Sequence, residues 1–186
     1  MKILIVVASA RRGSSQYVAE LIEKKNSISE AEINILRLSD YTIGYCTGCL
    51  ECDDTHKCNI NDGMVSVLEY VKAADTMIFI TPARYSLVSG DGKVFIDRLN
   101  PTAVSGDIEG KSFIAIAIGQ TQKEEEIDSV SLAADSLVNF AENAGLNVLG
   151  KYAIYGCYNE NDIMENEDVN SICEDVGRLI LRSCKK

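Results

Sequence analysis

Lys2-Ile3-Leu4-Ile5-Val6-Val7-Ala8-Ser9-Ala10-Arg11-Arg12-Gly13-Ser14-Ser15-Gln16 is the stretch on which the reading of this chain turns. Residues 2–8 form a strand-like run, apolar and largely branched without a break after Lys2, the mark of a strand buried on both faces. Residues 9–16 are small and polar, which makes them a loop. A helix follows, with Val18, Leu21 and Ile22 on one face at helical spacing. A strand covered on both sides belongs to a parallel sheet whose connections are helices.

The rest of the chain repeats that alternation. Residues 32–36, 76–80, 112–118 and 148–155 read as four further strands. Asp62 is a plausible N-cap for a helix with Met64, Val65, Leu68 and Val71 as its apolar stripe. Residues 93–99 look helical, 127–144 form a long amphipathic helix stopped by Gly145, and 169–181 form the last helix. Five strands alternating with helices predict an α/β, three-layer, flavodoxin-like sandwich with a parallel sheet in the order 2-1-3-4-5. The expectation is one domain over 1–186, with a cysteine-rich loop at 44–62. In such a sheet ligands bind beyond the carboxyl ends of the strands, at the switch point between strands 1 and 3. That singles out the loops 9–16, 81–90 and 119–122.

The first of these loops offers hydroxyls, backbone amides around Gly13, two arginines and the positive end of a helix. Together they suit an anion such as a terminal phosphate. A polar turn with Ser14 or Ser15 as N-cap is the structural alternative. Two other nucleotide patterns fail. Gly90-Asp-Gly92-Lys-Val-Phe95 breaks G-x-G-x-x-G at its last position. Gly106-Asp-Ile-Glu-Gly110-Lys111-Ser112 is one residue short of a P-loop and precedes a strand rather than following one.

Cys46, Cys49, Cys52 and Cys58 stand in a C-x2-C-x2-C-x5-C run. Three thiols at steps of three face a common centre only if the backbone wraps around it, as the cysteine runs of bacterial ferredoxins do around iron–sulfur clusters. A zinc site and free or redox-active thiols are the alternatives. His56, inside the run and the only histidine, reads as a solvated loop residue, because four thiolates already complete a site. Asp53 and Asp54 put negative charge beside the thiols, which lowers a reduction potential.

The chain has 186 residues, 46% hydrophobic and 25% charged, with a net charge of −10. Phosphate backbones and anionic bilayers attract a surplus of Lys and Arg, so this balance argues against nucleic-acid and membrane partners. No apolar run is long enough to span a bilayer, and the N-terminal run is too short for a signal sequence. A cytoplasmic location is expected, where seven cysteines serve as ligands or buried hydrophobes rather than disulfides.

These features together resemble the NAD(P)H-dependent FMN reductase family of flavodoxin-like proteins, and within it the iron–sulfur flavoprotein branch. The resemblance is carried by 9–16 after the first strand, the four cysteines after the second, and Thr81-Pro82 through Val88-Ser89-Gly90 with Phe95-Ile96-Asp97-Arg98. It implies FMN, with Ser9, Arg11, Ser14, Ser15 and Gln16 around the phosphate. Pro82, Ala83, Arg84, Tyr85 and Ser86 would lie against the ring, and Gly119 on the loop after strand 4. It implies a [4Fe-4S] cluster on Cys46, Cys49, Cys52 and Cys58. It also implies a homodimer or homotetramer that sets one subunit's cluster beside another's flavin. The chain departs from the family at Arg84-Tyr85-Ser86, where Tyr-Phe-Gly is frequent. It departs again at Gly119-Gln120-Thr121-Gln122, where glycines are frequent.

Arg84 is either a cation near the N1 end of the flavin or a surface arginine pairing with a carboxylate. Cys173 and Cys184 share the apolar face of the last helix and read as core residues. Cys157 has no evident partner, and Glu124–Glu126 complement a helix dipole. No Ser/His/Asp triad and no acid/base carboxylate pair stands out, so no side chain is assigned a catalytic role and the cofactor is expected to carry the chemistry. The reading is an oxidoreductase that passes electrons between FMN, the cluster and a partner, either NAD(P)H or a ferredoxin-like carrier. The alternatives are an NAD(P)H-dependent FMN or quinone reductase without a cluster, and a non-catalytic thiol or metal redox sensor.

Overall fold

Five parallel strands form the sheet, in the order β2-β1-β3-β4-β5. They are β1 (Lys2–Val7), β2 (Glu32–Arg37), β3 (Thr76–Pro82), β4 (Ser112–Ile118) and β5 (Asn147–Ile154). The helices are α1 (Ser14–Asn26), α2 (Glu51–Thr55), α3 (Met64–Ala73), α4 (Gly90–Arg98), α5 (Asn100–Val104), α6 (Ser129–Asn143), α7 (Asp162–Glu165) and α8 (Glu167–Ser183). This computed structural model describes residues 1–26, 31–123, 128–159 and 161–183. The acidic run 124–126, the expected helix start at 127 and Cys184 lie outside the described residues.

The alternation along β1 separates two cores. Ile3, Ile5 and Val7 point to one face and pack with Val18, Ala19 and Ile22 of α1 and Val169, Cys173, Val176 and Ile180 of α8. Leu4, Val6 and Ala8 point to the other, against Met64, Val67, Leu68 and Val71 of α3, Phe95 of α4, and Leu137 and Ala141 of α6. Both faces of the central strands are thus removed from water, which is why β1, β3 and β4 read as continuous apolar runs. The flavodoxin-like three-layer arrangement expected from the alternation is the one observed.

Two local expectations change. Val65 is exposed, and Val67 takes its place in the buried stripe of α3. A helical period of 3.6 selects positions 64, 67, 68 and 71, and position 65 falls on the outer side. Gly63, not Asp62, stands at the cap position of α3, although Asp62 Oδ1 still accepts from the Met64 N–H at 3.0 Å. The Asp62 carboxylate has a second task, described below.

Ser89 joins three elements at the top of the sheet. Its N–H donates to Thr81 Oγ1 at 3.0 Å, its hydroxyl donates to the Ala8 carbonyl at 2.6 Å, and its oxygen accepts from the Gly92 N–H at 3.1 Å. It is the N-cap of α4 and the tie between the carboxyl ends of β1 and β3.

Candidate functional site

At the carboxyl ends of β1, β3 and β4 lies a cavity of about 340 Å³. Ser9, Arg11, Ser14, Ser15, Pro82, Ala83, Arg84, Tyr85 and Gly119 line it, joined by Ile118, Gln120, Thr121, Ser129 and Cys157. Nine of the eleven positions expected around a flavin are therefore neighbours in space. Gln16 and Ser86 do not line the cavity. The Gln16 side chain turns away, accepting from Arg37 Nη1 at 3.0 Å and donating to Glu20 at 2.8 Å. Ser86 stands at the tip of a tight turn whose base is the Arg84–Leu87 bridge.

The cavity walls suit a phosphorylated ring. The 13-residue helix α1 opens at Ser14, so the amides of its first turn have no intrahelical acceptor and face the loop. A Cβ on Gly13 would meet only the Arg11 side chain, at 3.5 Å or more, so nothing in the chain itself requires glycine there. That fits a glycine kept for the approach of a ligand. Gly119 differs: a Cβ there would come within 2.5 Å of Val130 Cγ2, and only a bare backbone passes under α6 at this point. On the far wall, Thr121 shares a hydrogen bond with Ser129; behind it, outside the lining, Tyr155 donates to Asp128 at 2.8 Å. Burial, followed by the Asp128 carboxylate, pushes the Tyr155 phenol up to about 12, so it stays protonated. Burial likewise pushes the Cys157 thiol up to about 11, leaving it a neutral wall of the cavity.

A second cavity, of about 660 Å³, lies beside the cysteine loop. Cys46, Cys49, Cys52 and Cys58 all line it, opposite Ile96, Leu99, Pro101, Ala103, Phe140 and Ala144. The two cavities share no lining residue. All four cysteines are free, Cys46 and Cys49 exposed, Cys52 and Cys58 half-buried. They face one space without being drawn together: among the described residues, no three His, Cys, Asp or Glu side chains are grouped closely enough to hold a metal ion. The donor set and its surroundings nonetheless suit a soft metal centre. Asn100 Nδ2 donates to Cys52 Sγ at 3.0 Å and the Gly48 N–H to Cys46 Sγ at 3.4 Å. Hydrogen bonds of this kind stabilise sulfur that carries negative charge. His56 is exposed at the C-cap of α2 and does not line the cavity.

Backbone strain marks both loops. The non-glycine residues with positive φ among the described residues are Leu50 and His56 in the cysteine loop and Tyr85 and Ser86 beside the first cavity. A side chain in this region costs of order 1–2 kcal/mol, so surrounding contacts must hold it there. Asn100, Ser129 and Cys157 lie outside the loops that the sequence singles out, while Thr121 lies within one of them. Position was the available signal for Cys157, since it follows the carboxyl end of a strand. Arg98 enters the sequence reading only as part of the family pattern, with no site role. Its signal was a charge three residues from Phe95 and beside Leu99, on the buried stripe of α4.

A family model described as NADPH-dependent FMN reductase matches residues 1–154. An iron–sulfur flavoprotein of Methanocaldococcus jannaschii is 29% identical over 125 residues, 66% of this chain and 64% of that protein. One of Clostridioides difficile is 28% identical over 169 residues, 89% of this chain and 72% of that protein. The chain thus spans less than two thirds of the length of the first of these relatives. Among solved structures, a flavone reductase superposes with a TM-score of 0.75 at 18% identity, covering 100% of this chain and 64% of its own, which shows the shared fold. With its sheet order, the cavity at the sheet's carboxyl edge and the match over residues 1–154, the chain belongs to the NADPH-dependent FMN reductase family.

Proposed function

We propose that this chain is an FMN-dependent electron-transfer flavoprotein, an oxidoreductase that holds FMN at the carboxyl edge of the sheet and a [4Fe-4S] cluster on Cys46, Cys49, Cys52 and Cys58. The observation that carries the reading is the pair of separate cavities, each lined by a strained loop and each with one donor chemistry. Hydroxyls and cations meet a helix N-terminus in the first, and four thiols line the second. When bound, FMN exchanges electrons in pairs with a donor such as NAD(P)H, and the cluster exchanges them singly with a ferredoxin-like carrier.

The chain's own residues have distinct parts in this scheme. Ser9, Ser14, Ser15 and the first amides of α1 would donate to the phosphate, with Arg11 balancing its charge. Pro82, Ala83 and Tyr85 would hold the ring, and Arg84 would bring a cation to it. Among the described residues Arg84 has no ion pair, so its charge is available to a ligand. The neutral Cys157 keeps negative charge out of its part of the lining. At the thiol site, Asn100 and the Gly48 amide favour an electron-rich sulfur, while Glu51, Asp53 and Asp54 oppose added negative charge. Helix α4 is about 14 Å long over its nine residues, from the Ser89 cap, tied to the Ala8 carbonyl next to Ser9 of the first cavity, to Arg98, which lines the second. A homodimer or homotetramer that pairs one subunit's thiol site with another's flavin site would shorten the transfer.

A second reading is supported by the family match over residues 1–154: an NAD(P)H-dependent FMN or quinone reductase without a cluster. The test is a count of flavin, iron, sulfide and zinc per chain in protein purified without oxygen. Four iron and four sulfide beside one FMN are expected for the cluster. FMN without iron and sulfide selects the second reading. A chain that takes up neither overturns both.

A further inference from the structure

Among the described residues, Arg98 is the largest of the fully buried side chains. Its guanidinium reaches toward the cysteine loop. Nη1 donates to the Gly44 carbonyl at 2.6 Å and to Asp62 Oδ2 at 2.8 Å. Nη2 donates to Asp62 Oδ1 at 2.9 Å and to the Ile60 carbonyl at 3.3 Å. Asp62 in turn accepts from the Gly44 N–H at 2.8 Å. Gly44 stands just before the first cysteine of the run and Ile60 just after the last, so one planar group holds both ends of the loop to the last turn of α4. The same guanidinium interacts electrostatically with Cys58 and lines the thiol cavity. Burying a charge on this scale is costly unless it is paired and hydrogen-bonded, and breaking such a pair leaves an uncompensated charge.

We propose that Arg98 is the positioning residue of the thiol site, in two separable ways. Its fork closes the mouth of the loop so that four cysteines share one cavity. Its charge, fixed beside Cys58, makes it easier to add negative charge to whatever the thiolates hold. A lysine keeps the charge and loses the fork, because an ammonium cannot make the paired contacts of a guanidinium. A glutamine loses both. Asp62→Asn removes the counter-charge and leaves the positive charge of Arg98 uncompensated. The charge part rests on the cluster reading above, while the fork part does not.

The experiment compares the native chain with Arg98→Lys, Arg98→Gln and Asp62→Asn after anaerobic loading with iron and sulfide. FMN content, read on a cavity that Arg98 does not line, reports that each variant is folded. Limited proteolysis of the protein before loading reports the loop, and cleavage within 44–62 is expected about tenfold faster in both Arg98 variants. The midpoint potential of the iron centre reports the charge. Arg98→Lys is expected to keep the native potential, Arg98→Gln to fall below it and Asp62→Asn to rise above it. Equal proteolysis in all variants overturns the fork, and equal potentials overturn the charge. If the native chain loads no iron or sulfide, the cluster reading fails and the charge part with it, while the proteolysis still decides the fork.

Discussion

Asp62 is held by Arg98, Gly44 and Met64, and the paired hydrogen bonds from Arg98 bring its carboxyl down to about 2. In the unfolded chain an aspartate titrates near 4. A carboxyl depressed by folding contributes stability above its unfolded value and loses it as the pH falls through the folded one. The contribution is therefore present at neutral pH and fades between about pH 4 and about pH 2, amounting to about 2 kcal/mol. Urea midpoints measured at about pH 6 and about pH 3 are expected to converge in Asp62→Asn relative to the native chain; parallel curves for the two proteins would show that the pair is energetically idle. Gly119 supplies the second residue-scale case. A methyl at this position meets Val130 at 2.5 Å, and Val130 is buried and branched, so it has no room to yield. Gly119→Ala is expected to lose about 1–3 kcal/mol in urea unfolding and to weaken FMN retention, since the same backbone lines the cavity. Unchanged stability would mean that α6 shifts freely.

At the scale of elements, α4 is the member that both candidate sites depend on. Ser89 starts it against β1 and β3, and Arg98 ends it in the cysteine loop. Ser89→Ala leaves the Ala8 carbonyl and the Gly92 amide without their buried partner. The expected cost is about 1–3 kcal/mol by calorimetry or urea, with looser FMN binding because Ser9 and Pro82 flank the tie. Full retention of both would remove α4 as the common support. The start of α3 was read as an Asp62 cap because the sequence shows the acid and the helix together. It does not show Arg98, 36 residues on, which the fold brings to the same carboxylate. The extent of β3, which runs on to Pro82, was likewise hidden. Strand ends are set by pairing with β4, up to Pro82 opposite Ile118, and not by local pattern.

At the scale of the molecule, a ligand that binds only the folded chain stabilises it by mass action. FMN at about 100 times its dissociation constant is expected to add about 2.7 kcal/mol. For a chain of this size that raises the unfolding temperature by roughly 5–11 °C. A calorimetric scan with and without FMN checks this, and an unmoved transition would count against a flavin at the sheet edge. Among the described helices none is long and apolar enough to cross a membrane.

The sheet and its order were legible because burial on both faces leaves no polar alternation in β1, β3 and β4, and that pattern needs no knowledge of neighbours. The ligand loops were legible for a related reason: a parallel sheet puts every β-to-α connection at one edge. The four thiols announced themselves by spacing alone. What tertiary structure decided was which side chains meet across distance. It turned Gln16 toward Arg37, put Cys157 in the wall of the first cavity, and set Arg98 inside the mouth of the cysteine loop. Periodicity reports the face on which a residue lies; the partner it finds there depends on how separate elements pack, and that is fixed only when the chain closes on itself.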